Sequence, residues 1–237
     1  MSEILKITNL RGGYQEGVDI LCGVTIKVQQ GESVGIIGLN GSGKSTFSKA
    51  IMNMIPFRRG DIFFEGEDIT SLTTSQLSYR GISIMQQGSR VFRNLSVWHN
   101  LQLAMSKQSP NTLEKLKDII PLLQRPQKEL QRMMADKLSG GQKQQLSLAM
   151  TLATNPRLVI LDEPSAGLSP KAVEEMYTVL EKLRLLLGLT VILVEQNVSR
   201  AVTYCNRCVL FHQGLITYTF TEGYAELDKI ESLMFNL

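Results

Sequence analysis

The chain has 237 residues, 43% of them hydrophobic, and a formal net charge of +3. That length and apolar content suit one large domain, or a domain with an embedded lobe, around a real core. The charge is spread without long basic runs, which argues against a nucleic-acid-binding surface. The longest apolar stretch, Leu185–Val194, is interrupted by Gly188 and Thr190 and is too short to span a bilayer. The N-terminal MSEILKITNL lacks the basic head and apolar run of a signal peptide. The expected location is therefore the cytoplasm, with any membrane role exercised through a partner.

The first thirty or so residues alternate in character. Ile4-Leu5-Lys6-Ile7 and Val24–Val28 predict antiparallel strands, with turns at Gly12-Gly13 and Gly23. Ser33–Gly38 is a short apolar strand that runs into GLNGSGKST, residues 38–46. Asp61–Phe64 predicts a further strand, ended by Glu65-Gly66-Glu67. Strand–helix alternation then takes over, the mark of a parallel sheet. Ser33–Gly38, Ile82–Gln87, Leu158–Glu163 and Thr190–Gln196 are rich in Ile, Val and Leu, as strands buried on both faces should be. Each ends in glycine or polar residues, so four segments deliver polar tips to one sheet edge, where ligands bind.

Between Arg90 and Met134 strand patterns vanish, and Pro110, Pro121 and Pro126 divide helical stretches. Ser96 is placed to cap a helix from Val97. Pro110-Asn111-Thr112 is placed to open another through Leu113, Leu116, Ile119 and Ile120. A helical lobe inserted at residues 90–140 is the expectation. Ser169 and Pro170 start a helix whose apolar face is Val173, Met176, Leu180, Leu183 and Leu187 and which Gly188 closes. Residues 221–237 predict a tail, either a docked helix or loose. Of Cys22, Cys205 and Cys208, the last two form a lone C-x-x-C without a second ligand pair, which favours buried structural cysteines.

Three motifs carry chemistry. GLNGSGKST matches the phosphate-binding pattern G-x-x-x-x-G-K-[ST]. Gly38, Gly41 and Gly43 permit backbone angles that turn amide groups inward as an anion cradle. A helix starting near Lys44 adds its positive end. Lys44 brings charge to the β- and γ-phosphates, and the Ser45 hydroxyl suits Mg²⁺. In LVILDE, Asp162 ends a buried strand where an acid can hold Mg²⁺ or its waters, and Glu163 is placed to accept a proton from attacking water. In LSGGQ, Ser139 and Gln142 have capping-box spacing. Gly140 and Gly141 leave bare backbone in the first turn, which suits close approach of an anion.

LSGGQ about twenty residues before LVILDE, downstream of the phosphate loop, resembles the ATP-binding-cassette (ABC) ATPases from about Leu5 to Leu215. The implied fold is α/β: a P-loop NTPase (RecA-like), with a mostly parallel sheet, an N-terminal antiparallel β lobe and an inserted helical lobe. The resemblance implies a single nucleotide-binding domain over residues 1–237, ATP and Mg²⁺ as cofactors, and two ATPase subunits facing head to tail. ATP would lie between Gly38, Leu39, Asn40, Gly41, Ser42, Gly43, Lys44, Ser45 and Thr46 of one subunit and Ser139, Gly140, Gly141 and Gln142 of the other. It also implies that Gln87 senses Mg²⁺ and water, that Ser165–Ser169 links the two sites, and that Tyr14 stacks on adenine. The alternative for Tyr14 is a strand-end tyrosine.

QGSRVFR, EPSAGLSP and VEQNV are similar to the ATPase subunits of branched-chain amino-acid importers and of related urea or amide importers. Gln196 stands where most of the wider family carries a histidine toward the γ-phosphate. Glutamine can donate a neutral hydrogen bond but cannot become cationic. His99 in place of an acid three after Ser96, Gln145 and Met150 in place of arginines, and Gln86 in place of proline are further departures. The implied activity is Mg-ATP hydrolysis at the inner face of a cell membrane. The implied partners are a second ATPase subunit (homo- or heterodimer), integral membrane permease subunits and, indirectly, a periplasmic or extracellular solute-binding protein; no nucleic acid is expected. The alternatives are a lipid or lipopolysaccharide exporter and a non-transport ATP-driven switch. Proteins of the last kind usually carry two cassettes or a long insertion, and this chain has neither.

Overall fold

A computed structural model describes residues 2–105, 112–221 and 227–236. The chain opens with β1 (Glu3–Gly13) and β2 (Leu21–Gln29), paired antiparallel with Ile7 opposite Ile26. Period-two alternation puts Leu5, Ile7, Val24, Ile26 and Val28 inside. β1 runs through the expected turn at Gly12-Gly13. The glycine serves a close strand approach instead: a Cβ on Gly12 would stand 2.2 Å from the Phe57 carbonyl oxygen. β3 (Ser33–Ile37) is fully buried and leads into α1 (Lys44–Ile51). β4 (Phe57–Phe64) begins ahead of the expected Asp61 and pairs antiparallel with β1, and β5 (Glu67–Asp68) completes the sheet in the order β2-β1-β4-β5. The Arg58 guanidinium donates to the carbonyls of Ala50, near the C-terminal end of α1, and Thr70. Its pKa is lowered by burial, and its charge complements the helix dipole. α2 (Thr74–Tyr79) follows.

β6 (Ile82–Met85) comes next, then α3 (Val97–Ala104), α4 (Thr112–Lys117), α5 (Gln127–Arg132), α6 (Gly140–Leu152), β7 (Leu158–Asp162) and α7 (Pro170–Leu187). β6 and β7 are parallel, with Ile84 opposite Ile160. Ser96 caps α3 by accepting the His99 N–H at 3.2 Å, and the His99 ring returns a 2.8 Å contact to the Ser96 hydroxyl, so the cap survives the histidine. The helix expected through Ile120 ends at Lys117. A residue before proline is driven away from helical angles, and Ile120 ahead of Pro121 is extended at φ −96°, ψ 111°. Ile119 and Ile120 are buried nonetheless. Thr112 opens α4; Pro110 and Asn111, expected to help start it, lie outside the described residues. α7 starts and stops as its sequence predicts, with Ser169 at the cap, Pro170 in the first turn and Gly188 left-handed at φ 59°.

The chain closes with β8 (Thr190–Glu195), α8 (Val198–Tyr204), β9 (Arg207–His212), β10 (Leu215–Phe220) and α9 (Leu227–Asn236). β3 is parallel to β8 on one side and to β9 on the other, with Ile36 opposite both Val194 and Val209. Burial on both faces explains the uninterrupted apolar runs of these strands. The sulfurs of Cys205 and Cys208 pack over Gly35, where a Cβ would stand 2.6 Å from the Cys208 sulfur. Ile230 and Met234 of α9 share a core with Val198, Ala201, Val202 and Phe220, so the end of the chain is a docked helix; residues 222–226 and 237 of the expected tail lie outside the described residues. The chain divides into two compact units, residues 1–77 with 190–237, and residues 78–189. Among the described residues, no helix is long and apolar enough to cross a membrane.

Candidate functional site

The first unit carries the phosphate loop between β3 and α1. Gly38, Gly41 and Gly43 have φ of 151°, 81° and 104°, so the loop takes turns that a side chain resists. Gly43 is the left-handed cap of α1. The first amides of a helix have no partner within it and point outward. Leu39, Asn40 and Gly41 are exposed, whereas Ser42, Lys44 and Thr46 are buried and Ser45 is half-buried. Lys44 Nζ donates to the carbonyls of Gly38 (2.7 Å) and Leu39 (2.9 Å), folded over the loop it serves. Among the described residues, the buried Ser42 Oγ has no hydrogen-bond partner. Buried polar atoms are seldom left so. A glycine-built loop with a buried cation, an orphaned hydroxyl and a helix start fits a phosphate chain.

Two other predicted residues, Gln196 and Tyr14, belong to this unit. β3 and β8 run in register up to Ile37 and Glu195, so Gln196 follows β8 beside the start of the phosphate loop. Its side chain is exposed, and its backbone N–H donates to the buried Glu195 carboxylate at 3.2 Å. Tyr14 is 45% exposed, and Lys49 of α1 lies 5.8 Å from its ring centroid. This cation–π contact places an open aromatic face next to the phosphate-loop helix.

The second unit holds the remaining candidates. Asp162 ends β7 and is buried; Glu163 follows with φ 49°, a left-handed angle rare for a glutamate. Gln87 Nε2 donates to Glu163 Oε2 at 2.6 Å, so two residues 76 apart in sequence meet. At α6 the capping box is complete: Ser139 Oγ accepts the Gln142 N–H (3.2 Å) and Gln142 Oε1 accepts the Ser139 N–H (3.0 Å). These groups line a cavity of about 470 Å³ with Leu168 and Ala172. A Cβ on Gly141 would stand 3.2 Å from the Ala172 Cβ, so helix packing as well as anion approach requires a small residue there.

Three residues were not singled out from the sequence for what they do here. Gln144 bonds both Ser89 and the Pro164 carbonyl. Gln145, where an arginine is usual, accepts the Leu122 N–H at 2.9 Å and anchors the 3-10 turn at Pro121–Gln124. Gly214 donates its N–H to the Ser42 carbonyl at 2.9 Å, supporting the phosphate loop from the β9–β10 turn. A signal existed only for Gln144: it is polar but shares a helical stripe with Leu148 and Leu152.

A glycine-built phosphate loop between a buried parallel strand and a helix defines a phosphate-loop nucleotide-binding protein. The ABC transporter family model matches residues 21–166. The chain is 36% identical over 234 residues to the probable branched-chain amino acid transport ATP-binding protein LivF of Archaeoglobus fulgidus, covering 97% of this chain and 98% of that one. It is 32% identical over 212 residues to the lipopolysaccharide export system ATP-binding protein LptB of Escherichia coli, covering 89% and 87%. A crystal structure of a nucleotide-free ATP-binding cassette from an ABC transporter superposes with a TM-score of 0.82 at 27% identity, covering 97% and 95%. The chain belongs to the ABC transporter family, as one of its ATP-binding, ATP-hydrolysing subunits.

Proposed function

We propose that this chain powers uptake of branched-chain amino acids through separate integral membrane permease subunits. The observation that carries the reading is the end-to-end match to an ATP-binding protein of branched-chain amino acid transport. In this reading the chain works as one nucleotide-binding domain at the inner face of a membrane. Residues 90–140 act as the lobe that couples to the permease, and residues 221–237 as an accessory tail. Two such ATPases, identical or merely similar, close on two ATP molecules, and a solute-binding protein outside the cell delivers the cargo.

The residue roles are those that the family resemblance implies, and the chemistry of the groups agrees with them. Residues Gly38 to Thr46 enclose the phosphates, with Lys44 as the cation. Ser139, Gly140, Gly141 and Gln142 reach the γ-phosphate of the facing subunit, and Tyr14 stacks on adenine. Ser45, Gln87 and Asp162 offer hard oxygen donors of the kind Mg²⁺ prefers. Mg²⁺, when bound, neutralises charge on the phosphate oxygens. Glu163 polarises the attacking water, oriented by its bond to Gln87, and proton transfer to a placed base contributes about 10²–10⁴-fold. Gln196 adds a neutral hydrogen bond, roughly half as strong as a charge-assisted one.

The test is uptake of labelled leucine and urea by cells carrying the native chain or Glu163→Gln. Loss of leucine uptake alone, with ATP still bound, supports the reading. Loss of urea uptake alone moves the chain to the urea and amide importers. The similarity to LptB supports a second reading, export of a lipid or lipopolysaccharide; unchanged uptake of both solutes would favour it.

A further inference from the structure

Helix α6 contains a buried glutamine that the chemistry above does not use. Gln144 is 2% exposed and sits one turn before Leu148 and two before Leu152, both buried. A buried primary amide must find partners. Gln144 finds them in two segments far apart in sequence: its Nε2 donates to the Pro164 carbonyl, and its Oε1 accepts from Ser89 Oγ. Pro164 directly follows Glu163, and Ser89 lies two residues after Gln87. Ser89 and Glu163 both hold left-handed angles, φ 46° and 49°. Such residues persist only where their surroundings over-determine them. The Gln144 amide thus spans two strained segments that also meet in the Gln87–Glu163 bond at 2.6 Å.

We propose that Gln144 is a positioning residue. It clamps the segment after β6 to the segment after β7 and holds the Gln87–Glu163 pair in register. It also fixes that pair to the helix whose first turn is Gly140 to Gln142. Gln144 acts only through Gln87 and Glu163, so the inference rests on the reading of Glu163 as the group that polarises water. A displacement of about 1 Å in such a constellation can cost about 10²-fold in rate, so a single amide suffices to matter.

The experiment compares steady-state ATP hydrolysis, binding of a fluorescent ATP analogue and thermal unfolding for the full chain. The variants are Gln144→Met, Ser89→Ala, Glu163→Gln, and Gln144→Met combined with Glu163→Gln. Gln144→Met should lower kcat by about 10- to 100-fold, with KM and the analogue's Kd within about twofold of native. On the Glu163→Gln background it should add nothing, because groups that act as a unit are not additive. A purely structural glutamine would lower Tm without separating kcat from KM, and that outcome overturns the proposal. Native kcat in folded Gln144→Met, beside a slow Glu163→Gln, overturns the role of Gln144 and leaves the role of Glu163 standing. Native turnover in Glu163→Gln overturns both. Should Gln144→Met not fold, Ser89→Ala removes one end of the clamp from outside α6, and native kcat there overturns the proposal.

Discussion

Replacing Gly214 by alanine tests whether the β9–β10 turn supports the phosphate loop. Gly214 has φ +75°, and a Cβ there would stand 1.9 Å from the Ile20 carbonyl oxygen and 2.9 Å from the Ile20 carbonyl carbon. Gly66 makes a matched control: its φ is +80°, and a Cβ there meets nothing within 4 Å. Both substitutions incur the left-handed penalty of about 1–2 kcal/mol. Only Gly214→Ala must also displace backbone, and overpacking of that kind costs about 1–3 kcal/mol. The displacement further loosens the Gly214 N–H to Ser42 and Cys22 N–H to Gly214 hydrogen bonds, both 2.9 Å, each worth about 1 kcal/mol. The expected loss is about 3–6 kcal/mol for Gly214→Ala against about 1–2 kcal/mol for Gly66→Ala. At about 2–4 °C per kcal/mol for a chain of this size, thermal scanning should show a Tm drop about three times larger for Gly214→Ala. Because Gly214 holds the Ser42 carbonyl, calorimetric titration with Mg-ATP should also show weakened binding in Gly214→Ala and none in Gly66→Ala. Equal Tm losses in the two variants, or native ATP affinity in Gly214→Ala, would refute the argument.

Two further outcomes follow from particular contacts. Lys44→Met removes the buried cation that now rests on the Gly38 and Leu39 carbonyls; a charge-assisted bond is worth about 1.5–3 kcal/mol, so ATP affinity should fall by about 10- to 100-fold, and an unchanged Kd for a fluorescent nucleotide would count against Lys44 as the phosphate cation. The Asp68 pKa is lowered by the Thr70 side chain first and by the Thr70 backbone N–H second. A depressed folded value means that its stabilising effect is present above the unfolded pKa, about 4, and is lost as pH falls through the folded value. Thr70→Val should therefore raise the Asp68 pKa toward the ordinary carboxylate value in an NMR titration, and a stationary midpoint would contradict the assignment.

The chemistry-bearing motifs were legible because each is a consecutive run whose residue types set the local backbone. Glycines at 38, 41 and 43 permit the backbone angles of a phosphate cradle, Ser139 and Gln142 cap their helix by contacts three residues apart, and Pro170 and Gly188 mark the ends of α7. Apolar strands bounded by polar tips announced the parallel sheet in the same way. The boundaries that shifted did so where a local pattern met a competing constraint. Leu113, Leu116, Ile119 and Ile120 have helical spacing and are all buried, yet Pro121 forces Ile120 into an extended conformation and cuts the helix short.

What only the tertiary structure decided are the contacts between residues distant in sequence, because neither periodicity nor composition encodes which segments meet. Gly12 signals a turn when read alone, but its reason is the close passage of Phe57. Gly141 reads as an anion site, and it is also the place where α6 approaches Ala172. The sequence by itself determined the family, that of the ATP-hydrolysing ABC subunits, and named candidate phosphate, metal and water ligands. Folding decided that Gln87 lands on Glu163, that Gln144 spans Ser89 and Pro164, and that Gly214 holds the carbonyl of Ser42. The reason is that a buried polar group takes whichever partner the packing brings within about 3 Å, and the packing is a property of the whole chain.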